Sequence, residues 1–394
     1  MMILSADRLL PGPSGQVVDD GALLIEGDRI AAIGRRADVE IQAPAGTEHR
    51  RLDGATLLPG LINAHVHLAF DSSADPVTAV QEACDEELRA GMRERAQAAL
   101  RSGCTTLRDL GDRGGLAAQL RDDIKRGDVP GPRILASGPP LTTPGGHCHF
   151  LGGEVDGPAD IRQRVRELAE LGVDFIKIMA SGGQLTPGSP PMWQSQFNAS
   201  ELKTVVDEAS RLGLPVAAHA HGTEAITDSV HAGVTTVEHC TWVAGEGQEI
   251  RRDEQVARLM ASSEIAACAA SSRNWRGIID KMGKEAAEKI YGRLPWMDAL
   301  GVPLITGTDA GLPRSPFDDL PGALQLYTYL GFEAADVLEM ATTGTATALG
   351  LAERTGRLAA GLDADVLAVD GDPRDDLAVL SAVRLVAARG VVVE

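Results

Sequence analysis

Cysteine is scarce in this 394-residue chain: Cys84, Cys104, Cys148, Cys240 and Cys268 form no C-x-x-C pair. An odd, scattered set excludes a disulfide framework and fits a reducing compartment, so a cytoplasmic location is expected. Basic residues are also short, 37 Lys and Arg against 56 Asp and Glu, for a formal net charge of −19. Phosphate backbones and anionic lipid surfaces call for a basic face, so neither nucleic acid nor membrane is expected as a partner. Aromatics make up 3% of the chain, too few for a base-stacking surface. No run approaches the ~18 apolar residues of a membrane span. The first ten residues carry Asp7 and Arg8 inside their apolar stretch and lack a basic leader, which speaks against a signal peptide.

What is present falls into three zones. Residues 1–58 contain strand-like runs (Ala22–Glu26, Arg29–Ile33, Ala55–Leu58) separated by turn signals such as Gly27-Asp28, and no convincing helix. Residues 351–394 return to strand-like text at Val366–Val369, Val383–Ala387 and Val391–Val393. Between them, short apolar runs alternate with longer amphipathic ones. Eight candidate strands can be counted: Leu61–His67, Thr105–Asp109, Arg133–Ser137, Phe175–Met179, Val216–His219, Thr235–His239, Glu264–Cys268 and Leu304–Asp309. Helical patterns such as Glu86–Leu100, Ile161–Leu171 and Ser200–Leu212 separate many of them. That alternation is the mark of βαβ units, and eight in succession predict a (β/α)8 TIM barrel over residues 59–350. Neither terminal zone can bury a face alone, so 1–58 and 351–394 are expected to form one discontinuous β-sandwich domain.

In such a barrel the active site lies at the C-terminal ends of the strands. His65 and His67 close the first strand as H-V-H, and residues two apart on a strand share a face. Lys177 interrupts the apolar run Phe175–Met179, while His219, His239 and Asp309 end strands five, six and eight. Each alone has an ordinary explanation: a hydrogen-bonded core histidine, a snorkelling lysine, a helix N-cap. Their conjunction at one end of one barrel points to a metal site, because imidazole and carboxylate suit Zn2+ or another divalent ion. No cysteine is well placed for a thiolate ligand. A neutral amine at Lys177 is also chemically able to take up CO2 as a carbamate.

The run Leu58-Pro59-Gly60-Leu61-Ile62-Asn63-Ala64-His65-Val66-His67 resembles the first-strand motif of the amidohydrolase superfamily. Phe175–Gly183, Ala218-His219-Ala220-His221-Gly222, Glu238-His239 and Gly307–Gly311 are similar to later motifs of its branch of imidazolonepropionase-like enzymes, metal-dependent prolidases and carboxypeptidases. The resemblance implies a binuclear centre in which His65, His67 and Asp309 hold one ion and His219 and His239 the other. It implies that Lys177, as a carbamate, bridges them, and that a metal-bound hydroxide attacks a carbonyl while Asp309 shuttles its proton. His221 is assigned to substrate carbonyl contact, with a structural loop histidine as the alternative.

On the rim, Pro144-Gly145-Gly146-His147-Cys148-His149 follows the third strand, and His147 is a candidate substrate ligand, the other possibility being a flexible loop. Trp193, Trp242 and Trp275 follow strands four, six and seven and either pack lids or line an apolar pocket. Arg314 is placed to meet a substrate carboxylate or to sit in solvent. The expected activity is hydrolysis of an amide C–N bond in a dipeptide, N-acyl amino acid or modified peptide. The rivals are hydrolysis of a cyclic amide or amidine, deamination, and a non-catalytic barrel serving as a binding module. A homo-oligomer stays open, since such assemblies are common.

Overall fold

The computed structural model describes residues 1–12, 16–246 and 249–393. Its N-terminal strands are β1 (Met2–Leu9), β2 (Val18–Glu26), β3 (Arg29–Arg35) and β4 (Glu48–Pro59). The middle of the chain supplies β5 (Leu61–Val66), β6 (Cys104–Asp109), β7 (Arg133–Ala136), β8 (Ile176–Met179) and β9 (Val216–Gly222). It continues with β10 (Thr236–Ala244), the short β11 (Glu249–Ile250), β12 (Ala266–Cys268) and β13 (Leu304–Ile305). The last strands are β14 (Val366–Asp370), β15 (Val383–Ala388) and β16 (Val391–Val393).

The two ends of the chain share one seven-stranded sheet, ordered β16-β15-β14-β4-β1-β2-β3. The seam is the antiparallel pair β14–β4, with Val366 opposite Pro59 and Asp370 opposite Ala55. Leu4, Leu23, Leu57 and Val366 pack together beneath it, all removed from water. Two features of this zone were not expected. Met2–Leu9 is a strand, paired with both β2 and β4. Arg36–Gln42 is a helix, contrary to the reading of no helix here; it buries a single residue, Val39, against Ile3, Ala22 and Leu24. One buried side chain in two turns is too little periodicity to read from the sequence. Residues 13–15 and 394 of the expected terminal domain lie outside the described residues.

The middle zone is α/β, with β5-β6-β7 parallel in one sheet and β8-β9-β10-β12-β13 parallel in another. Backbone hydrogen bonds link the two sheets at both edges. Ala64 N donates to Thr306 O and His67 N to Ala310 O, each at 2.8 Å; Leu141 N donates to Lys177 O at 2.8 Å. Helices separate successive strands, and their ends are specified locally. Ahead of β9, Asn198 accepts from Ser200 N and Glu201 N at 3.0 Å while Glu201 returns the bond to Asn198 N, a capping box worth about 1 kcal/mol. No described helix is long and apolar enough to cross a membrane.

Candidate metal centre and catalytic site

His65 lies in β5 and His67 one residue beyond its end, so both rings reach the same side, with centroids 5.3 Å apart. Asp309 is brought against them by a small clamp. Asn63 Nδ2 donates to Thr308 Oγ1 at 2.8 Å, its carbonyl oxygen accepts Thr308 N, and Asp309 N donates to His65 O at 2.9 Å. Asp309 itself adopts φ 58°, a left-handed conformation that costs a non-glycine residue on the order of 1 kcal/mol. Gly307 permits the close approach, because a Cβ there would fall 2.6 Å from His65 Cβ and 2.7 Å from Cys268 Sγ. The carboxylate Oδ1 then stands 3.2 Å from His65 Nε2 and 3.3 Å from His67 Nε2.

His219 and His221 come from β9 and His239 from β10. The β9–β10 register shifts between His239 and Val243, and His239, Cys240 and Trp242 all have positive φ. That bend turns the His239 ring to within 4.7 Å of His219 and 4.4 Å of His221, stacked on the latter. Lys177, in β8, is buried and its Nζ has no hydrogen-bond partner. All six residues expected to ligate metal, together with His147 and His221, line one cavity of about 180 Å³. Phe70, Cys148, Met179, Gln184, Leu185, Met192 and Leu312 complete its wall.

Electrostatics follow from burial. Desolvation pushes the Lys177 amine down to about 8, against the opposing pull of Glu238. Desolvation likewise lowers His147 to about 4 and His221 to about 3, and drives His219 and His239 well below the ordinary imidazole value. These rings are neutral and present lone pairs at physiological pH. His65 is the exception: burial opposes its charge, but facing Asp309 and Glu238 raise it to about 10. Asp309, disfavoured as an anion by burial, is nevertheless held well below the carboxylate range by the His65 charge.

A divalent ion suits this surround. Donor atoms of His65, His67 and Asp309 lie within 4.8 Å of one another, as do those of His219, His221 and His239. His67 Nδ1 and Lys177 Nζ are buried without partners, atoms that otherwise carry an uncompensated cost.

Other expected site residues lie elsewhere. Trp242 is fully buried in the core, edge-on to Trp296 at 5.5 Å, and does not face the cavity. Trp275 begins a helix and donates to Gly322 O at 3.1 Å. Trp193 sits beyond the lining, its backbone against Gly222, and Arg314 is an exposed turn residue. Of the two readings left open for each, cavity lining is not seen for these tryptophans or for Arg314, because closeness to a strand end does not determine which way a side chain turns. His147 does reach the cavity. Its loop is held by Gln196 Oε1, which accepts His147 N at 2.7 Å, and its ring lies 4.8 Å from His219. Sequence reasoning gave no role to Glu238 and Arg108, both buried beside His65; a charged residue in an all-buried strand was the available signal. Cys268 also approaches His65 and Glu238, but burial raises its thiol pKa and leaves it neutral.

The sequence profile of the amidohydrolase family matches residues 56–393, and the chain belongs to that family. It is 28% identical to ochratoxinase from Aspergillus niger over 412 aligned residues, which span 96% of this chain and 82% of that protein. It is 26% identical to imidazolonepropionase from Pseudomonas putida over 392 residues, 92% of this chain and 90% of that one. A crystal structure of a Xaa-Pro dipeptidase with methionine in its active site superposes with a TM-score of 0.85 at 28% identity, covering 100% of this chain and 99% of the other. The fold is therefore TIM-barrel-like α/β, and the protein is a hydrolase acting on carbon–nitrogen bonds. This family is generally metal-dependent, and the expectation of a non-catalytic binding module falls away.

Proposed function

We propose that this chain is a metal-dependent amidohydrolase that cleaves the amide C–N bond of a dipeptide, N-acyl amino acid or modified peptide. The observation that carries the reading is the convergence of two imidazole-rich donor groups and the partnerless Lys177 on one cavity. His65, His67 and Asp309 would hold one divalent cation and His219 and His239 a second, zinc being the ion that this donor set suits. Lys177 would join them as a CO2-derived carbamate. The chemistry such ions would supply there is activation of water near neutral pH and polarisation of a carbonyl.

The side chains do the rest. Asp309, on the cavity wall, accepts the proton of the attacking water at its carboxylate and passes it to the leaving nitrogen. Thr241 Oγ1 lies 3.0 Å from His221 Nδ1; with that hydroxyl donating to Nδ1, Nε2 carries the ring hydrogen and would donate it to the substrate carbonyl. His147 Nδ1 faces Thr186 Oγ1 at 3.2 Å, which leaves its Nε2 for a second substrate oxygen. Phe70, Leu185, Met192 and Leu312 form the apolar part of the cavity wall. We also read 59–350 as a closed (β/α)8 barrel and 1–58 with 351–394 as a β-sandwich domain; the bonds between sheet edges and the shared terminal sheet support that division. Five free cysteines support a cytoplasmic location.

The test is a library of dipeptides and N-acyl amino acids, read by mass spectrometry, on protein stripped by a chelator and reloaded with Zn2+. Hydrolysis should vanish on stripping and return on reloading. Asp309→Asn should lower turnover by at least about 100-fold. Full activity in protein holding only trace metal would sink the reading. Likeness to imidazolonepropionase favours a second reading, hydrolysis of a cyclic amide or amidine or a deamination. Its mark is a ring-opened product, or ammonia, without a released amino acid.

A further inference from the structure

We propose that Glu238, clamped by Arg108 and Thr236, is the positioning residue of the metal ligand His65 and thereby sets the affinity of the His65–His67–Asp309 site. It rests on the reading of those three residues as metal ligands.

Glu238 is fully buried, yet both of its oxygens are engaged. Oε2 lies 2.9 Å from His65 Nδ1, and Oε1 accepts from Arg108 at 2.6 Å and from Thr236 Oγ1 at 2.6 Å. Arg108 gives two further donors to Thr236 Oγ1 at 2.9 Å and to the carbonyl of Ala64, the residue before His65, at 2.7 Å. The cluster therefore ties together β5, β6 and β10, three strands that meet beneath the cavity. Arg108 balances the carboxylate, so neither member of this pair is left uncompensated.

The chemical consequence concerns the imidazole. As a metal ligand the ring is neutral, because the cation takes the place of the Nε2 hydrogen, and a neutral ring carries one hydrogen. A carboxylate opposite Nδ1 accepts only, so the hydrogen must reside there and the lone pair at Nε2, the atom that faces Asp309. A glutamine in place of Glu238 reverses this. With its amide oxygen toward Arg108 and Thr236, which only donate to it, its NH2 points at His65 Nδ1. That nitrogen must then accept, and the hydrogen moves to Nε2, where it blocks coordination.

The experiment is competitive chelator titration of stripped wild type and Glu238→Gln with Zn2+, with circular dichroism as the folding control. Exchange-protected imidazole N–H protons are followed by 15N-edited NMR. We expect one of the two zinc ions to bind about 10–100-fold more weakly in Glu238→Gln, the other unchanged, and the His65 Nδ1 proton signal to disappear. Thr236→Val, which removes one donor to Glu238, should show a loss in the same direction of about 2–5-fold, and it decides the matter if the glutamine variant does not fold. Equal weakening of both ions, or wild-type affinity in the variants, overturns the proposal. Wild type that takes up no zinc overturns the ligand reading, and the proposal with it.

Discussion

Lys177 offers the sharpest test of the site's physical chemistry. Its amine is buried, has no hydrogen-bond partner and has a pKa pushed from 10.5 down to about 8 by desolvation. A tenfold change in a protonation equilibrium is worth about 1.4 kcal/mol, so keeping this lysine charged in the stripped protein costs about 3 kcal/mol. The sign follows from proton counting. The folded pKa lies below the unfolded one, so the penalty is full below about pH 8, shrinks as pH rises and is gone above about 10.5. Lys177→Met keeps the volume and removes the charge. In metal-free, bicarbonate-free buffer at pH 7 the variant should be more stable than wild type by about 3 kcal/mol, seen as a rise of several degrees in Tm by calorimetry. At pH 10.5 the two should nearly coincide. With zinc and bicarbonate restored, wild type should gain stability and activity that the variant cannot. A variant less stable than stripped wild type at pH 7 would refute the reasoning, because the amine would then have a stabilising partner.

Two further changes probe the supports of the site. A Cβ at Gly183 would fall 2.4 Å from His147 Cε1, so Gly183→Ala should displace that ring and lower kcat/KM by about 10-fold with little change in Tm; a fall in Tm alone would make His147 structural. Arg133→Met strips a partner from the buried Asp363 and Asp365, the latter 2.8 Å away, and should destabilise the protein by about 3 kcal/mol in urea unfolding while kcat holds; unchanged stability would deny that Arg133 ties β7 to the chain entering β14 of the terminal sheet.

The eight parallel strands of the middle zone were legible because burial on both faces leaves a short run of mostly apolar letters between amphipathic stretches, as in Ile176–Met179 and Ala266–Cys268. Boundaries were less so: β10 runs on to Ala244, past its expected end at His239, because a bend at positive φ carries the strand through the site. Helix Arg36–Gln42 escaped detection because its single buried residue leaves no period.

The sequence by itself determined the order of the middle strands and which side chains are candidates for chemistry, since burial pattern and residue type are written locally. It also named the six candidate ligands, because charged or imidazole groups at strand ends are conspicuous against apolar text. Only the tertiary structure decided what those groups face. Trp242, within β10, turns into the core, and His147, in the loop after β7, turns into the cavity. Arg108, Thr236 and Glu238 meet His65 across strands that are distant in the chain. Such contacts depend on register, twist and the packing of neighbours, which no local stretch of letters encodes.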